Sequence, residues 1–349
     1  MQFTDQLKSF DKFDYLAVLN KFDRHLIEAK NNFLRQSDML QAAFQNLPNN
    51  LIICGMGGSA IAGDFIKNLY QDHINIPIHV IRDYSLPKFV DSSSMVILSS
   101  YSGNTEETLS AFEDALSRQA KMVCLTTGGE LARLALGNKR VLFTLPSGLQ
   151  PRQALPFSLI LLIGLVETLV DKSVNWNPVD ESIKLSSQLR VDYAPDGKAC
   201  LLDAACALSE KPVAIYCSET LFPAAVRLKG QLNENAKLLA SAAPVPEMNH
   251  NEIVGWEGSV SSCNVILLRD SGDHPRVSAR LDILGELLAK RTKVHTVYTQ
   301  GVSLLSRYMS LICWSDWISY YAALVKKTDP TPVEIITYLK NELAKIPQK

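Results

Sequence analysis

Apolar and polar positions along this chain follow two different periods. In the first fifty residues the spacing is helical, with Tyr15, Leu19, Phe22 and Leu26 three or four apart, until the loop NLPNN (46–50) ends it. Short apolar runs then alternate with amphipathic ones. LIICG (51–55) predicts a strand, a helix runs from about Ser59 to Tyr70, and IPIHVIRD (76–83) and MVILSSYSGNT (95–105), opening on the apolar MVIL, come next as strand-like segments. A helix from about Thr105 to Arg118, a strand in KMVCLTT (121–127), a short helix near Leu131 and a strand in RVLFTLP (140–146) complete the series. Short apolar strands joined by helical crossovers predict an α/β fold whose parallel sheet is covered on both faces.

A long apolar helix begins near Pro151 and runs to about Val170, and NWNP (175–178) punctuates the chain after it. The alternation then restarts with KPVAIYC (211–217), a helix from Phe222 to Leu232, a loop, NVILLRD (264–270), a helix from Pro275 and KVHTVYT (293–299). A helix containing CWSDWISYYAALV (313–325) precedes the tail DPTPVEIITYLKNELAK (329–345), a Pro-punctuated link into a charged amphipathic helix. The similar order of the two halves suggests two copies of one α/β unit. No short-period repeat or low-complexity segment interrupts them.

Composition narrows the class. A chain of 349 residues is long enough for two domains. Its 47% hydrophobic and 20% charged residues are ordinary for a globular enzyme. A net charge of −1 gives no bulk electrostatic case for nucleic acid or an anionic membrane. Seven scattered cysteines without a C-x-x-C pair argue against a disulfide framework or zinc ribbon. No two histidines have metal-ligand spacing, so no metal site is expected. The polar N-terminus does not read as a signal peptide, and the apolar run FSLILLIGLV (157–166) is too short to span a bilayer, so a cytoplasmic location is expected.

Three stretches of the first half fall beyond strand ends, where open α/β sheets bind ligands. In LIICGMGGSAIAG (51–63), Gly55-x-Gly57-x-x-Ala60 satisfies a dinucleotide fingerprint, and Asp83, late in spacing, could serve as a ribose-binding acid. Tight packing of strand on helix explains the same small residues. The second stretch, SSYSGNTEE (99–107), offers Ser100, Ser102 and Thr105 ahead of a helix, an arrangement suited to a phosphate monoester. A capping box from Asn104 to Glu107 explains those two residues but leaves Ser100 and Ser102 unexplained. The third is the Pro151-Arg152 pair, placed to open a helix. In the second half, NENAK (233–237) and PEMNHNE (246–252) gather carboxylates, amides and a histidine. Glutamate can act as a carbon-acid base and histidine as a proton shuttle, whereas each taken alone reads equally as a loop residue.

Together CGMGGSAIAGD (54–64), SYSGNTEET (100–108), Pro151-Arg152, NENAK, NHNEIVGW (249–256) and the tail from Asp329 to Lys340 resemble the bifunctional phosphoglucose/phosphomannose isomerase family. That resemblance implies two tandem sugar-isomerase (SIS) domains of flavodoxin-like, three-layer form. The expected division is a helical segment 1–50 packed on the first domain, domains over 51–170 and 171–328, and a C-terminal helix over 329–349. It implies aldose–ketose isomerisation of glucose 6-phosphate and mannose 6-phosphate through an enediol, without a cofactor. Gly57, Gly58 and Ser59 would line the ligand, and Ser100, Ser102 and Thr105 would hold its phosphate. Arg152 would stabilise the enediolate and Glu234 would be the base, with Glu252 its rival. His250 would assist ring opening from the neighbouring subunit of a homodimer. Lys340 would share that task, with Lys326, Lys327 and Lys345 as competitors, and Thr331 is a candidate for admitting both C2 configurations. Two rivals remain: an NAD-dependent oxidoreductase using the glycine turn, and a non-catalytic SIS sensor of sugar phosphates.

Overall fold

The computed structural model describes residues 3–43, 46–258 and 263–346, so the last three residues of the expected C-terminal segment lie outside it. Helices α1 (Asp5–Lys8), α2 (Tyr15–Leu19), α3 (Phe22–Gln36) and α4 (Asp38–Ala43) come first. Next come β1 (Leu51–Cys54), α5 (Gly57–Tyr70), β2 (Ile78–Ile81), β3 (Met95–Ser99), α6 (Glu106–Ser117), β4 (Lys121–Thr126), α7 (Gly129–Gly137) and β5 (Val141–Thr144). A 3-10 turn at Pro151–Ala154 leads into α8 (Leu155–Asp171), α9 (Asn177–Tyr193) and α10 (Leu202–Leu208). The second series is β6 (Val213–Ser218), α11 (Phe222–Ala236), β7 (Ala240–Val245), a 3-10 turn at Glu247–His250, α12 (Glu252–Gly255), β8 (Asn264–Arg269), α13 (Pro275–Ala289) and β9 (Val294–Tyr298). Helices α14 (Leu304–Val325) and α15 (Glu334–Leu343) close the chain.

Two compact units result. One holds Lys21–Arg190 and Thr299–Leu311; the other holds the described parts of Met1–Asn20, Val191–Tyr298 and Ile312–Lys349. The N-terminal segment, expected as one piece beside the first domain, is therefore divided near Asn20.

In the first unit all strands are parallel, in the order β2-β1-β3-β4-β5. Strands β1 and β3 are buried at every residue, as their unbroken apolar runs require when both sheet faces are covered. Their neighbouring carboxyl ends form the switch point where the chain reverses direction across the sheet, so the loops after β1 and β3 meet there. Helix α8 is apolar nearly all round because it packs between α3 and α5. The stretch Pro151–Asp171 is long and apolar enough to cross a membrane, yet 83% of its most apolar window is buried within the fold. At Gly164 a Cβ would come within 2.6 Å of the Phe33 ring, which stacks on Phe143.

The second unit repeats the layout as β7-β6-β8-β9, again parallel. Strand β7 falls in a stretch expected to be a loop. Its sequence, ASAAPV, lacks the usual strand formers, and Pro244 is tolerated because β7 lies at the sheet edge. Helices α9 and α10 were also not foreseen between NWNP and KPVAIYC.

Within the first unit Glu181 of α9 caps the start of α14. Its carboxylate accepts from Val302 N at 2.7 Å, Ser303 N at 3.1 Å and Ser306 Oγ at 2.8 Å. Partial desolvation opposes ionisation, but these hydrogen bonds outweigh it and bring the Glu181 pKa to about 2. Because the folded carboxyl titrates below the unfolded one, its stabilisation is complete above the ordinary value of 4.5 and is lost as pH falls through about 2. Glu181→Gln is therefore expected to unfold at lower denaturant concentration at pH 7. The gap from wild type should narrow steadily in unfolding curves recorded from pH 5 down to pH 2.

Candidate active site

Close backbone approaches draw three loops of the first unit together. A Cβ on Gly55 would lie 2.8 Å from the Ser99 carbonyl oxygen, and one on Gly58 would lie 2.7 Å from the Pro151 carbonyl oxygen. The turn after β1 thus abuts both the end of β3 and the Arg152 segment. Gly57 has a φ of +48° with open space beside it, so its requirement is conformational. Ser59 is buried in the first turn of α5. Asp83, weighed as a ribose ligand, lies two residues beyond β2 and accepts from Tyr84 N at 2.7 Å. Burial, helped by the charge of Asp114, pushes the Cys54 thiol up to about 12, which removes it as a nucleophile.

The loop after β3 brings its hydroxyls together ahead of α6. Ser100 Oγ and Thr105 Oγ1 lie 2.8 Å apart, Gly103 N donates to Ser100 Oγ at 3.1 Å, and Asn104 N donates to Ser102 Oγ at 3.3 Å. Ser100 is buried, Thr105 is half-buried and Ser102 is exposed. The capping box weighed as the alternative for Asn104 and Glu107 does not form. Thr105 is the N-cap of α6, and Asn104 Oδ1 instead accepts from Glu130 N at 3.0 Å in the first turn of α7. Gly103 has a φ of +72° and faces the Gly128 carbonyl too closely for any Cβ. All three hydroxyl residues therefore sit at the helix N-terminus, where backbone dipoles favour an anion.

Arg152 lies in a 3-10 turn opened by Pro151 and closed by a reciprocal Gln150–Gln153 capping box, and its side chain is buried. Tyr101, which sequence reasoning passed over, links this segment to the serine loop. Its hydroxyl donates to Pro146 O at 2.8 Å and accepts from Leu149 N at 3.0 Å. The signal was present as the one aromatic within SYSGNTEET, masked by the hydroxyls around it.

In the second unit Glu234 occupies the last turn of α11, which ends where Lys237 adopts a left-handed conformation at φ +49°. It lines a cavity of about 470 Å³ together with Asn233, Lys237, Asp329, Val333 and Ile336. Asn233 Oδ1 accepts from Ala240 N at 3.0 Å, tying this turn to the start of β7. Lys237 Nζ donates to the carbonyls of Glu234 at 3.0 Å and Asp329 at 2.9 Å, joining the helix end to the tail. Lys237 is thus the lysine beside Glu234, a position the tail-lysine reading missed. Lys340 lies on α15, exposed, and α15 buries none of its side chains. Thr331 N donates to Asp329 Oδ1 at 2.8 Å in the turn before that helix.

His250 ends the 3-10 turn after β7 and is exposed, while Met248 beside it is buried. Glu234 comes before β7 and His250 after it. Six residues of strand separate those points, about 20 Å at roughly 3.3 Å per residue. Glu252 is engaged elsewhere: Tyr216 Oη donates to Glu252 Oε1 at 2.6 Å and accepts from Trp256 Nε1 at 2.9 Å. Burial, reinforced by the Glu252 bond, drives the Tyr216 hydroxyl well above its ordinary pKa, so it remains a donor.

Residues 47–148 match the SIS domain family, and residues 202–343 match the family of the bacterial phospho-glucose isomerase C-terminal SIS domain. The chain is 41% identical over 312 residues to a bifunctional phosphoglucose/phosphomannose isomerase of Caldicellulosiruptor bescii, covering 85% of this chain and 90% of that one. It is 35% identical to the protein of that name in Aquifex aeolicus, covering 84% and 90%. The tagatose-6-phosphate ketose/aldose isomerase of Escherichia coli shares the fold, with a TM-score of 0.71 at 15% identity over 91% of this chain and 95% of that one.

The two bonds of the Tyr101 hydroxyl generate a direct test. Tyr101→Phe removes the acceptor of Leu149 N, so backbone hydrogen exchange across 146–150 should accelerate while the exchange of β3 and β4 stays slow, as read by mass spectrometry.

Proposed function

The chain belongs to the bifunctional phosphoglucose/phosphomannose isomerase family, and we propose that it interconverts glucose 6-phosphate and mannose 6-phosphate with fructose 6-phosphate. The observation that carries this reading at the level of the site is Glu234 on the wall of a cavity, in a chain whose other unit gathers hydroxyls at a helix N-terminus.

In the proposed reaction Ser100, Ser102 and Thr105 hold the phosphate monoester, which fixes the reacting carbons. Gly57, Gly58 and Ser59 line the same end of the ligand. Glu234 removes the proton from C2 of the open aldose as the electron pair moves into a C1–C2 double bond. The resulting negative charge on oxygen is met by the Arg152 guanidinium. The proton passes from O2 to O1, and Glu234 returns its proton to C1 to give the ketose. Both C2 epimers yield the same enediol, so one base serves both substrates. No electrons leave the substrate, so the chemistry calls for no redox cofactor.

Ring opening needs a second proton carrier, for which His250 is the proposed group, with Lys340 as a further candidate from α15. The strand length between Glu234 and His250 within one chain supports a homodimer in which each site receives His250 from the partner subunit. The engagement of Glu252 with Tyr216 favours Glu234 as the base.

A coupled assay with fructose, glucose and mannose 6-phosphates tests the reading, and turnover of none of them would overturn it. Glu234→Gln should lose isomerisation by at least about a thousandfold while still binding a sugar phosphate, as expected when a group acting only in the transition state is removed. Loss of binding and activity together would assign Glu234 a structural role. Glu252→Gln, which keeps an acceptor for Tyr216, should retain turnover.

A further inference from the structure

Helix α11 presents a polar stripe to the interior. Arg227, Gln231 and Asn235 recur every fourth residue and so lie on one face, and all three are buried. Arg227 Nη2 and Gln231 Nε2 both donate to Asp316 Oδ1 at 2.7 Å. Asn235 Nδ2 donates to Ser319 Oγ at 3.0 Å. The same two amides also reach the hydroxyl of Tyr15, Asn235 Nδ2 at 3.0 Å and Gln231 Nε2 at 3.3 Å.

Tyr15 belongs to the N-terminal arm, which carries none of the sequence motifs. Its ring stacks on Tyr320 with centroids 6.2 Å apart, and Asp11 holds its backbone by accepting from Tyr15 N at 2.6 Å and Leu16 N at 3.0 Å. The next residue along from Asp11 reaches the cavity: Lys12 N donates to Asp329 Oδ2 at 2.9 Å. The arm thus grips both the helix that bears Glu234 and the turn facing it.

Packing alone would be served by leucines, as it is by Leu228 and Leu232 on the same helix. Buried amides cost free energy unless bonded, and what a fully bonded network adds is a single fixed geometry. Fixing matters most at the last turn, because helix ends fray, and Glu234 stands there next to Asn235.

We infer that Tyr15 is a positioning residue for Glu234: through Asn235 and Gln231 its hydroxyl fixes the last turn of α11 and hence the approach of the carboxylate to the substrate carbon. This rests on Glu234 being the base. Tyr15→Phe keeps the ring stack and removes the acceptor. With glucose 6-phosphate labelled at C2, kcat should fall about tenfold with KM changed by less than about twofold, as a misplaced catalytic group requires. The share of label carried to C1 rather than lost to water should fall as well, a readout that lowered stability alone would not move. Unchanged kcat and label transfer would overturn the proposal. If Tyr15→Phe does not fold, Asn235→Ser is judged by the same readouts, and failure of both to fold makes the network purely structural and also overturns it. Glu234→Gln in parallel separates the two levels. Its turnover would remove the base assignment, whereas its inactivity beside a wild-type-like Tyr15→Phe would remove only the positioning role.

Discussion

A guanidinium and a carboxylate taken out of water must meet each other, and Arg227 and Asp316 do so at 2.7 Å with both side chains almost fully buried. The second unit is organised by that pairing. It fixes α11 against α14 in both register and rotation, since a turn of slippage would leave a charge unpaired at a cost of about 3–5 kcal/mol. Once Arg227 is placed, Gln231 and Asn235 fall inward on the same stripe. Asn233 and Glu234 are then turned off that stripe, the first onto β7 and the second onto the cavity. The direction of the candidate base is thus a consequence of a charge pair two turns earlier.

The first unit uses closeness where the second uses charge. Gly55, Gly58 and Gly103 each stand where a methyl group would strike a carbonyl oxygen of a neighbouring loop. The first two contacts join the turn after β1 to the end of β3 and to the Arg152 segment, the third joins the hydroxyl loop to the turn before α7, and the Tyr101 hydroxyl adds a fourth tie. Sites built in this way tolerate little change in backbone, because the space a side chain would need is already occupied by protein. Gly58, which stands outside the Gly55-x-Gly57-x-x-Ala60 spacing, makes room for Pro151, while Gly57 faces open space.

Local patterns in the sequence revealed what depends on local physics. Unbroken apolar runs identified β1, β3, β4, β6 and β8, and the hydroxyl cluster before α6 was visible from residue type alone. Strand β7 was not, because ASAAPV acquires its strand form from pairing with β6 and not from its own propensities. The capping alternative for Asn104 pointed to the nearer helix, whereas a side chain next to one N-terminus can serve another that only the fold brings near. Tyr15 and Lys237 were passed over for the same reason. Their partners lie 220 residues away at Asn235 and 92 residues away at Asp329, distances at which no spacing rule operates.

Two sheets of corresponding strand order have come to serve different ends. The loop after β8 holds the place that the hydroxyl loop holds after β3. There the chain supplies its own anions: Asp273 Oδ2 accepts from Asp270 N at 3.1 Å, and Asp270 Oδ2 accepts from Gly272 N at 3.1 Å. His274 Nδ1 caps Arg276 N at 3.2 Å, and Pro275 has no N–H to offer. The carboxylates added at the second loop repel an incoming anion, whereas the first loop presents neutral hydroxyls. The candidate groups of the second unit lie away from that loop, Glu234 ahead of β7 and His250 beyond it.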